Sequence, residues 1–260
     1  MAGNELKIIE FLLQNIGKVA LKHIGLVEEI GAPSSKGNYK VVNSMDELSL
    51  VSTEDSRKKA DIYINGIGIS LKQTGGSFSF NRLQRAGLLK VFSDLNFQNP
   101  NQNLDLLDKE VDKFHQGSLS KRNRPWQTFF NEKDFKALLK YLMLEGSPNY
   151  GVTANPATFI LQAPATNFNQ SNIEVFQFDE YFKTYKDRLK IAIRRQWVGQ
   201  LSKSEHARAL GIANKPENQP WVYDDVSGEP RVKDASGSKW RSEFPSDKRK
   251  TVHILFIEKV

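Results

Sequence analysis

The sequence predicts an α/β (α+β) fold in which a mixed central β-sheet is flanked by helices. Apolar residues recur every three or four positions near the amino terminus, which is typical of an amphipathic helix. Two β-rich runs flank an Asn-Gly pair at 65–66, and the chain after Pro220 consists mainly of strand-like runs. The length of 260 residues and the hydrophobic content of 39% are typical of a globular chain with a substantial core.

Helical and extended segments alternate along the chain. Leu6, Ile9 and Leu13 make one apolar stripe of a helix over residues 4–23, and glycines with Pro33 mark the loop after it. The same criteria predict helices at 80–92, 132–144, 182–197 and 204–210, a loop at 96–103, and strands at 39–42, 158–163, 173–178, 221–226, 228–232 and 251–260. The helix at 182–197 is expected to be basic and amphipathic.

Composition and charge exclude several classes of protein. The chain has no cysteine, which rules out a disulfide scaffold, a thiol nucleophile and a zinc–thiolate site. No apolar run approaches the roughly 20 residues of a membrane span, and the amino terminus lacks the basic start of a signal peptide. We therefore expect a cytoplasmic protein.

The positive charge is concentrated in the carboxyl-terminal part. Residues 181–260 hold 17 Lys and Arg against 10 Asp and Glu, which accounts for the whole net charge of +7. A basic segment beside a neutral one is typical either of a polyanion-binding face or of a solvated basic surface. A soft boundary near 163–171 divides the chain into an amino-terminal part, 1–165, and a basic part, 166–260.

Residues 61–72, which read DIYINGIGISLK, predict a β-hairpin. The Asn-Gly pair at 65–66 fits a two-residue turn because both central positions require positive φ. That turn sets a register in which Asp61 faces Ser70. Alternation places the aliphatic residues on a core face and Asp61, Ser70 and Lys72 on an opposite, polar face away from the core. The carboxylate and the ammonium are expected to form either a cross-strand ion pair or part of a catalytic site.

Asp61, eight further residues and the triplet Ser70-Leu71-Lys72 resemble the motif of the PD-(D/E)xK nuclease superfamily, the shared core of most restriction endonucleases. In that family the aspartate opens one strand of a hairpin, and the triplet lies on the next. The resemblance implies a restriction-endonuclease-like core followed by a basic, strand-rich carboxyl-terminal part. Ala60 stands where the motif has proline, in a slot that varies within the family. Ser70 stands where the motif has an acid, which removes one metal ligand.

The resemblance also implies an activity. The expected protein is a prokaryotic type II restriction endonuclease that hydrolyses double-stranded DNA in Mg²⁺ at a specific sequence and leaves 5′-phosphate and 3′-hydroxyl ends. Asp61 and the carbonyl of Leu71 are its expected metal ligands. Ser70 would hold a metal-bound water, and Lys72 would orient or deprotonate the attacking water.

The carboxylate that Ser70 does not supply is assigned to Glu5, on the apolar stripe of the first helix, with Glu10 as the alternative. DNA contacts are expected from the polar loop after the triplet, from the helix that follows it and from the basic part of the chain. The candidates are Gln73, Ser77, Arg82, Arg85, Arg194, Arg195, Arg231, Lys239 and Arg241.

Two other functions stay open from the sequence. One is a repair or recombination nuclease with the same core, and the other is a DNA-binding protein without catalysis. A monomer and a homodimer are equally compatible with the sequence. A restriction enzyme would require a cognate DNA methyltransferase in the same genome.

Overall fold

The structure is a computed structural model that describes residues 4–34, 37–51, 58–74, 82–119, 121–148, 151–224, 245 and 248–260. The predicted mixed fold is confirmed, since a six-stranded sheet combines parallel and antiparallel pairs and helices accompany it. No helix within the described ranges has the length and apolar content needed to cross a bilayer.

The helices and strands have the following bounds. The α-helices are α1 (Asn4–Gln14), α2 (Met45–Leu50), α3 (Arg85–Asp94), α4 (Pro100–His115), α5 (Glu132–Lys140), α6 (Phe178–Tyr185) and α7 (Lys203–Ala213), and a π-helical turn follows α5 at Tyr141–Glu145. The strands are β1 (Ala20–Leu21), β2 (Gly25–Leu26), β3 (Ile30–Pro33), β4 (Tyr39–Val41), β5 (Ile62–Ile64), β6 (Ile67–Gln73), β7 (Asn123–Pro125), β8 (Gly146–Ser147), β9 (Gly151–Val152), β10 (Phe159–Ala163), β11 (Glu174–Phe176), β12 (Leu189–Val198), β13 (Val222–Asp224) and β14 (Lys250–Lys259).

The chain forms two compact units that alternate along the sequence. Unit 1 comprises Met1–Phe80, Lys136–Leu189 and Lys259–Val260, and unit 2 comprises Asn81–Phe135 and Lys190–Glu258. The units therefore do not coincide with the expected parts 1–165 and 166–260. The assignment of catalysis and DNA recognition to those parts stays a prediction.

The six-stranded sheet belongs to unit 1 and has the order β11-β10-β6-β5-β3-β4. β10 runs parallel to β6, whereas β5 pairs antiparallel with both β6 and β3. One face of the sheet is apolar and packs against α1, through Ile9 and Leu12 of the helix and Ile62, Ile69 and Leu71 of the hairpin. Because β5 and β6 have a strand on either side and a helix on this face, the hairpin is held rigidly.

Unit 2 contains a four-stranded sheet of order β13-β14-β12-β7. β13 pairs antiparallel with β14, and β7 pairs antiparallel with β12. Buried residues of α7, among them Ala209 and Ile212, pack on Val252 and Ile254 of β14. Phe256 of β14 packs against the same cluster.

The predicted helix at 182–197 is wrong over most of its length. Helix α6 ends at Tyr185, and the strand β12 begins at Leu189. Within β12, Leu189, Ile191 and Ile193 are buried, whereas Lys190 is half-buried. Most residues of β12 are buried, and the β-branched Ile191 and Ile193 favour a strand.

Other predicted helix and loop boundaries also differ from those in the structure. The expected loop at 96–103 is correct only for its first half, because α4 begins at Pro100. Proline suits this first helical position, where the backbone amide makes no hydrogen bond within the helix. The helix expected at 80–92 begins only at Arg85, so Arg82 precedes it. The first helix ends at Gln14, before a turn at Gly17 with φ of 75°.

Candidate active site

Asn65 and Gly66 form the turn between β5 and β6, as predicted. Their φ angles are 51° and 77°, the left-handed values that a two-residue hairpin turn requires. The pairing that begins at Ile62 and Ile69 has the predicted register. The Asn65 side chain also donates to the Leu26 carbonyl at 2.7 Å, which ties the turn to the neighbouring chain.

The polar face of the hairpin is buried near the turn, which corrects the expectation that it lies away from the core. Tyr63 is 8% exposed and Ser70 is 2% exposed. Tyr63 Oη donates to Asn155 Oδ1 at 3.0 Å. A Cβ on Gly68 would lie 2.4 Å from the Pro156 carbonyl oxygen, so only glycine permits this close approach. The open part of the face is therefore the end remote from the turn.

Asp61 lies in a bend at this open end, directly before β5. Its amide donates to the Ile69 carbonyl at 2.8 Å, although Ile69 is the register partner of Ile62. The regular ladder thus ends before Asp61 reaches Ser70, unlike the predicted pairing. The carboxylate Oδ2 accepts a hydrogen bond of 2.7 Å from the amide of Leu71. The Asp61 side chain thus replaces the backbone carbonyl to which this amide would donate in a continued ladder.

The carbonyl of Leu71 points to the same side of β6 as its amide, because both groups of a strand residue point toward one neighbouring strand. Lys72 Nζ donates to this carbonyl at 2.8 Å and to Ser70 Oγ at 2.8 Å. Asp61 and Lys72 are therefore joined through the two backbone polar groups of Leu71. The structure brings Asp61, Ser70, Leu71 and Lys72 into one cluster, as predicted.

Lys59 is a further member of the cluster that the sequence reasoning missed. Burial, followed by the positive charge of Lys72, lowers the pKa of Lys59 to about 8, and the Asp61 carboxylate opposes this shift. The Lys59 amide donates to the Asn155 carbonyl at 2.9 Å, which holds the segment before Asp61 in place. Two lysines near one carboxylate make the cluster attractive to anions such as phosphate. Lys59 follows another lysine, Lys58, and nothing in the sequence distinguishes one of the two from the other.

The two candidate glutamates lie on α1. Glu5 is half-buried in the first turn of the helix, one turn before the fully buried Ile9, and Glu10 is exposed. Helix α1 packs on the apolar face of the sheet, whereas alternation places the Lys72 side chain on the opposite face. The structure thus connects Asp61 and Lys72 through hydrogen bonds and places Glu5 on a helix across the sheet.

The donor atoms of the cluster suit a hard divalent cation. The Asp61 carboxylate and the Leu71 carbonyl are oxygen ligands on the same side of β6, and Mg²⁺ prefers such ligands together with water and phosphate oxygens. No group of three or more His, Cys, Asp or Glu among the described residues is arranged to hold a metal ion. A cation at this site would therefore have few protein ligands.

Two of the predicted DNA-binding arginines surround one aromatic ring in unit 2. The guanidinium carbon of Arg82 lies 5.9 Å from the Phe256 ring centroid, and that of Arg194 lies 5.5 Å from it. Glu258, whose side chain is 2% exposed, pairs with both Arg194 and Arg122. We call Arg82, Arg122 and Arg194 the arginine surface. The sequence analysis did not select Arg122, because its ion-pair partner in β14, Glu258, is distant in sequence.

Arg85 and Arg195 make contacts within unit 2. Arg85 donates to both carboxylate oxygens of Asp108, at 2.8 and 3.0 Å from Nε, and to the Glu217 carbonyl. The Arg195 guanidinium lies 4.7 Å from the Phe114 ring centroid and donates to the Phe114 carbonyl. These contacts connect sequence-distant parts of unit 2, and the predicted DNA contacts of both arginines stay predictions.

Gln73 is exposed at the carboxyl end of β6, close to the cluster in sequence. Four candidates lie outside the described residues: Ser77, Arg231, Lys239 and Arg241.

No protein family model matches the chain, and no curated protein matches its sequence. Among solved structures, the restriction endonuclease MspI in complex with its cognate DNA shows a weak similarity, with a TM-score of 0.27 and 9% sequence identity. The alignment covers 78% of this chain and 68% of that chain.

Proposed function

We propose that this protein is a Mg²⁺-dependent nuclease that hydrolyses phosphodiester bonds in double-stranded DNA, of the type II restriction class. The observation that carries the proposal is the arrangement around Leu71. Its amide binds the Asp61 carboxylate, and its carbonyl binds Lys72 Nζ. One carboxylate, one carbonyl and one ammonium thus meet at the end of a rigid hairpin.

In this proposal Asp61 and the Leu71 carbonyl hold the cation. A contribution from Glu5 stays a prediction from the sequence, because α1 lies across the sheet from Lys72. When bound, Mg²⁺ polarises the scissile phosphate and lowers the pKa of an attacking water. Lys72 orients that water through Nζ and offsets negative charge on the phosphate. Ser70 Oγ accepts from Lys72 Nζ and thereby positions the ammonium.

The arginine surface is the proposed phosphate-binding part of unit 2. Glu258 neutralises only part of the charge of Arg122 and Arg194, and Arg82 adds another guanidinium at the same ring. Binding to DNA through such contacts releases condensed counterions, so affinity is expected to fall steeply with salt. We predict that Arg82→Gln and Arg122→Gln each reduce the slope of log Kd against log salt by about 1. Fluorescence anisotropy in Ca²⁺ at several salt concentrations measures this slope.

The proposal is tested by incubating plasmid DNA with the protein in Mg²⁺ or in EDTA. Discrete fragments that appear only in Mg²⁺ support a restriction enzyme, and Asp61→Asn and Lys72→Met serve as inactive controls. Cleavage only at branched or nicked DNA would indicate a repair or recombination nuclease. DNA binding without cleavage in Mg²⁺ would refute the enzymatic proposal and indicate a non-catalytic DNA-binding protein.

Further expectations depend on the same proposal. End-labelling of the fragments should detect 5′-phosphate and 3′-hydroxyl ends. A methyltransferase that protects the same DNA sequence is the expected partner in the genome, and methylated plasmid should resist cleavage. Sedimentation with and without DNA distinguishes a monomer from a homodimer.

A further inference from the structure

Gln162 is a buried polar residue in the sheet of unit 1, on the strand next to Lys72. In the parallel register of β10 and β6, Gln162 is the partner of Lys72. The residues on either side of it, Leu161 and Ala163, belong to the hydrophobic core on the α1 face. Gln162 therefore points to the opposite face, which it shares with Ser70 and Lys72.

Only one end of the Gln162 amide has a hydrogen-bond partner among the described residues. Nε2 donates to Tyr185 Oη at 2.9 Å. Gln162 is 1% exposed, and its Oε1 is buried and accepts no hydrogen bond from any described residue. A buried amide oxygen without a donor is unfavourable. A donor side chain on the same face of the sheet would satisfy Oε1 if it moved toward it in another state of the protein.

Lys72 is the nearest donor along the register, and its present contacts conflict with the proposed metal site. Lys72 Nζ donates to the Leu71 carbonyl, the atom that the proposed function assigns to the cation. An ammonium and a divalent cation on one carbonyl oxygen repel each other strongly. When the cation binds, Lys72 has to release Leu71, but Ser70 Oγ can stay its partner.

We propose that Gln162 is a positioning residue that receives the Lys72 ammonium when a divalent cation engages the Leu71 carbonyl. Lys72 Nζ then lies between Ser70 Oγ and Gln162 Oε1, on the face that all three side chains share. Tyr185 orients the amide by accepting from Nε2. This inference rests on the proposed function, because it requires a cation at Asp61 and Leu71.

The test is a double-mutant cycle on cation affinity, measured by calorimetric titration of the DNA-free protein with Ca²⁺. Gln162→Leu removes the acceptor while it keeps similar volume, and we expect it to weaken Ca²⁺ binding roughly tenfold or more. In the Lys72→Met background no ammonium competes for the carbonyl, so Gln162→Leu should leave the affinity unchanged.

Two further variants keep the test informative if Gln162→Leu folds poorly. Gln162→Glu retains an oxygen acceptor, so its Ca²⁺ affinity should equal or exceed that of the unsubstituted protein. Glu174→Gln is the matched control, because Glu174 is the register partner of Gln162 on the other neighbouring strand and should have little effect. Thermal unfolding in EDTA verifies that each variant is folded.

The possible results separate the inference from the proposed function. An equal loss of affinity from Gln162→Leu in both backgrounds, or a similar loss from Gln162→Glu, means a purely structural role and overturns the inference alone. If Ca²⁺ binding is absent, or is unchanged by Asp61→Asn, the proposed metal site is wrong and the inference is refuted together with it.

Discussion

Substitution of Asp61 separates its structural role from its proposed catalytic role. Asp61 Oδ2 accepts from the Leu71 amide at 2.7 Å, and Leu71 is 1% exposed, so water cannot easily replace the lost acceptor. A hydrogen bond to a charged group contributes about 1.5–3 kcal/mol. Asp61→Ala should lower the free energy of unfolding by this amount, which corresponds to roughly 3–12 °C in Tm for a chain of this size.

Asp61→Asn is the matched control, because its side-chain oxygen can still accept from the Leu71 amide. A neutral acceptor makes a bond about half as strong, so Asn should lose about half as much stability as Ala. Both variants should abolish Mg²⁺-dependent cleavage and retain DNA binding in Ca²⁺. Calorimetry and plasmid cleavage measure the two effects. Equal Tm values for all three proteins would refute the hydrogen bond, and cleavage by either variant at the original rate would refute the metal-ligand role.

Three further predictions concern the cluster, a buried histidine and a glycine. Ser70→Ala should lower the single-turnover cleavage rate about 10- to 100-fold, or about 1.4–2.8 kcal/mol of barrier, whereas Lys72→Ala should cost far more; the reverse order would contradict the assigned roles. Burial and nearby positive charge hold the pKa of His253 well below 6.5, so the unfolded chain takes up a proton that the folded chain excludes. Stability should therefore fall as the pH drops below about 6.5, which urea unfolding between pH 7.5 and about 5 measures. Gly68→Ala should destabilise the protein by roughly 1–3 kcal/mol, because its Cβ would lie 2.4 Å from the Pro156 carbonyl oxygen, and calorimetry detects the change.

Controls for the last two predictions are available in the same chain. His253→Gln removes the titrating group and should flatten the pH dependence of stability below about 6.5. Gly211 lies inside α7 with nothing within 4 Å of its Cβ position, so Gly211→Ala should stabilise the protein by about 0.4–1 kcal/mol. A stabilised Gly68→Ala variant would show that the segment at Pro156 does not cover the hairpin closely.

Local sequence was sufficient for the hairpin that carries the candidate site. Asn65 and Gly66 require positive φ, and a two-residue turn leaves one register for the strands that follow it. Strand alternation then places Ser70 and Lys72 on one face. Asp61, in the bend before β5, joins them through the Leu71 amide and not through the predicted pairing with Ser70. The mixed fold class followed from hydrophobic periodicity, which is also a local property.

Interactions between distant residues set the features that the sequence analysis did not predict. The segment at 155–158 buries the polar face of the hairpin near its turn, and α1 covers the apolar face that lies opposite Lys72. Residues 189–198 carry basic residues at helix-like spacing, yet they form a strand because they pair with β7, more than sixty positions earlier in the chain. Gln162 meets Lys72 only because β10 joins β6 in parallel. Each of these outcomes depends on which segments meet in the folded chain, and contacts at long sequence separation leave no periodic signal in a single sequence.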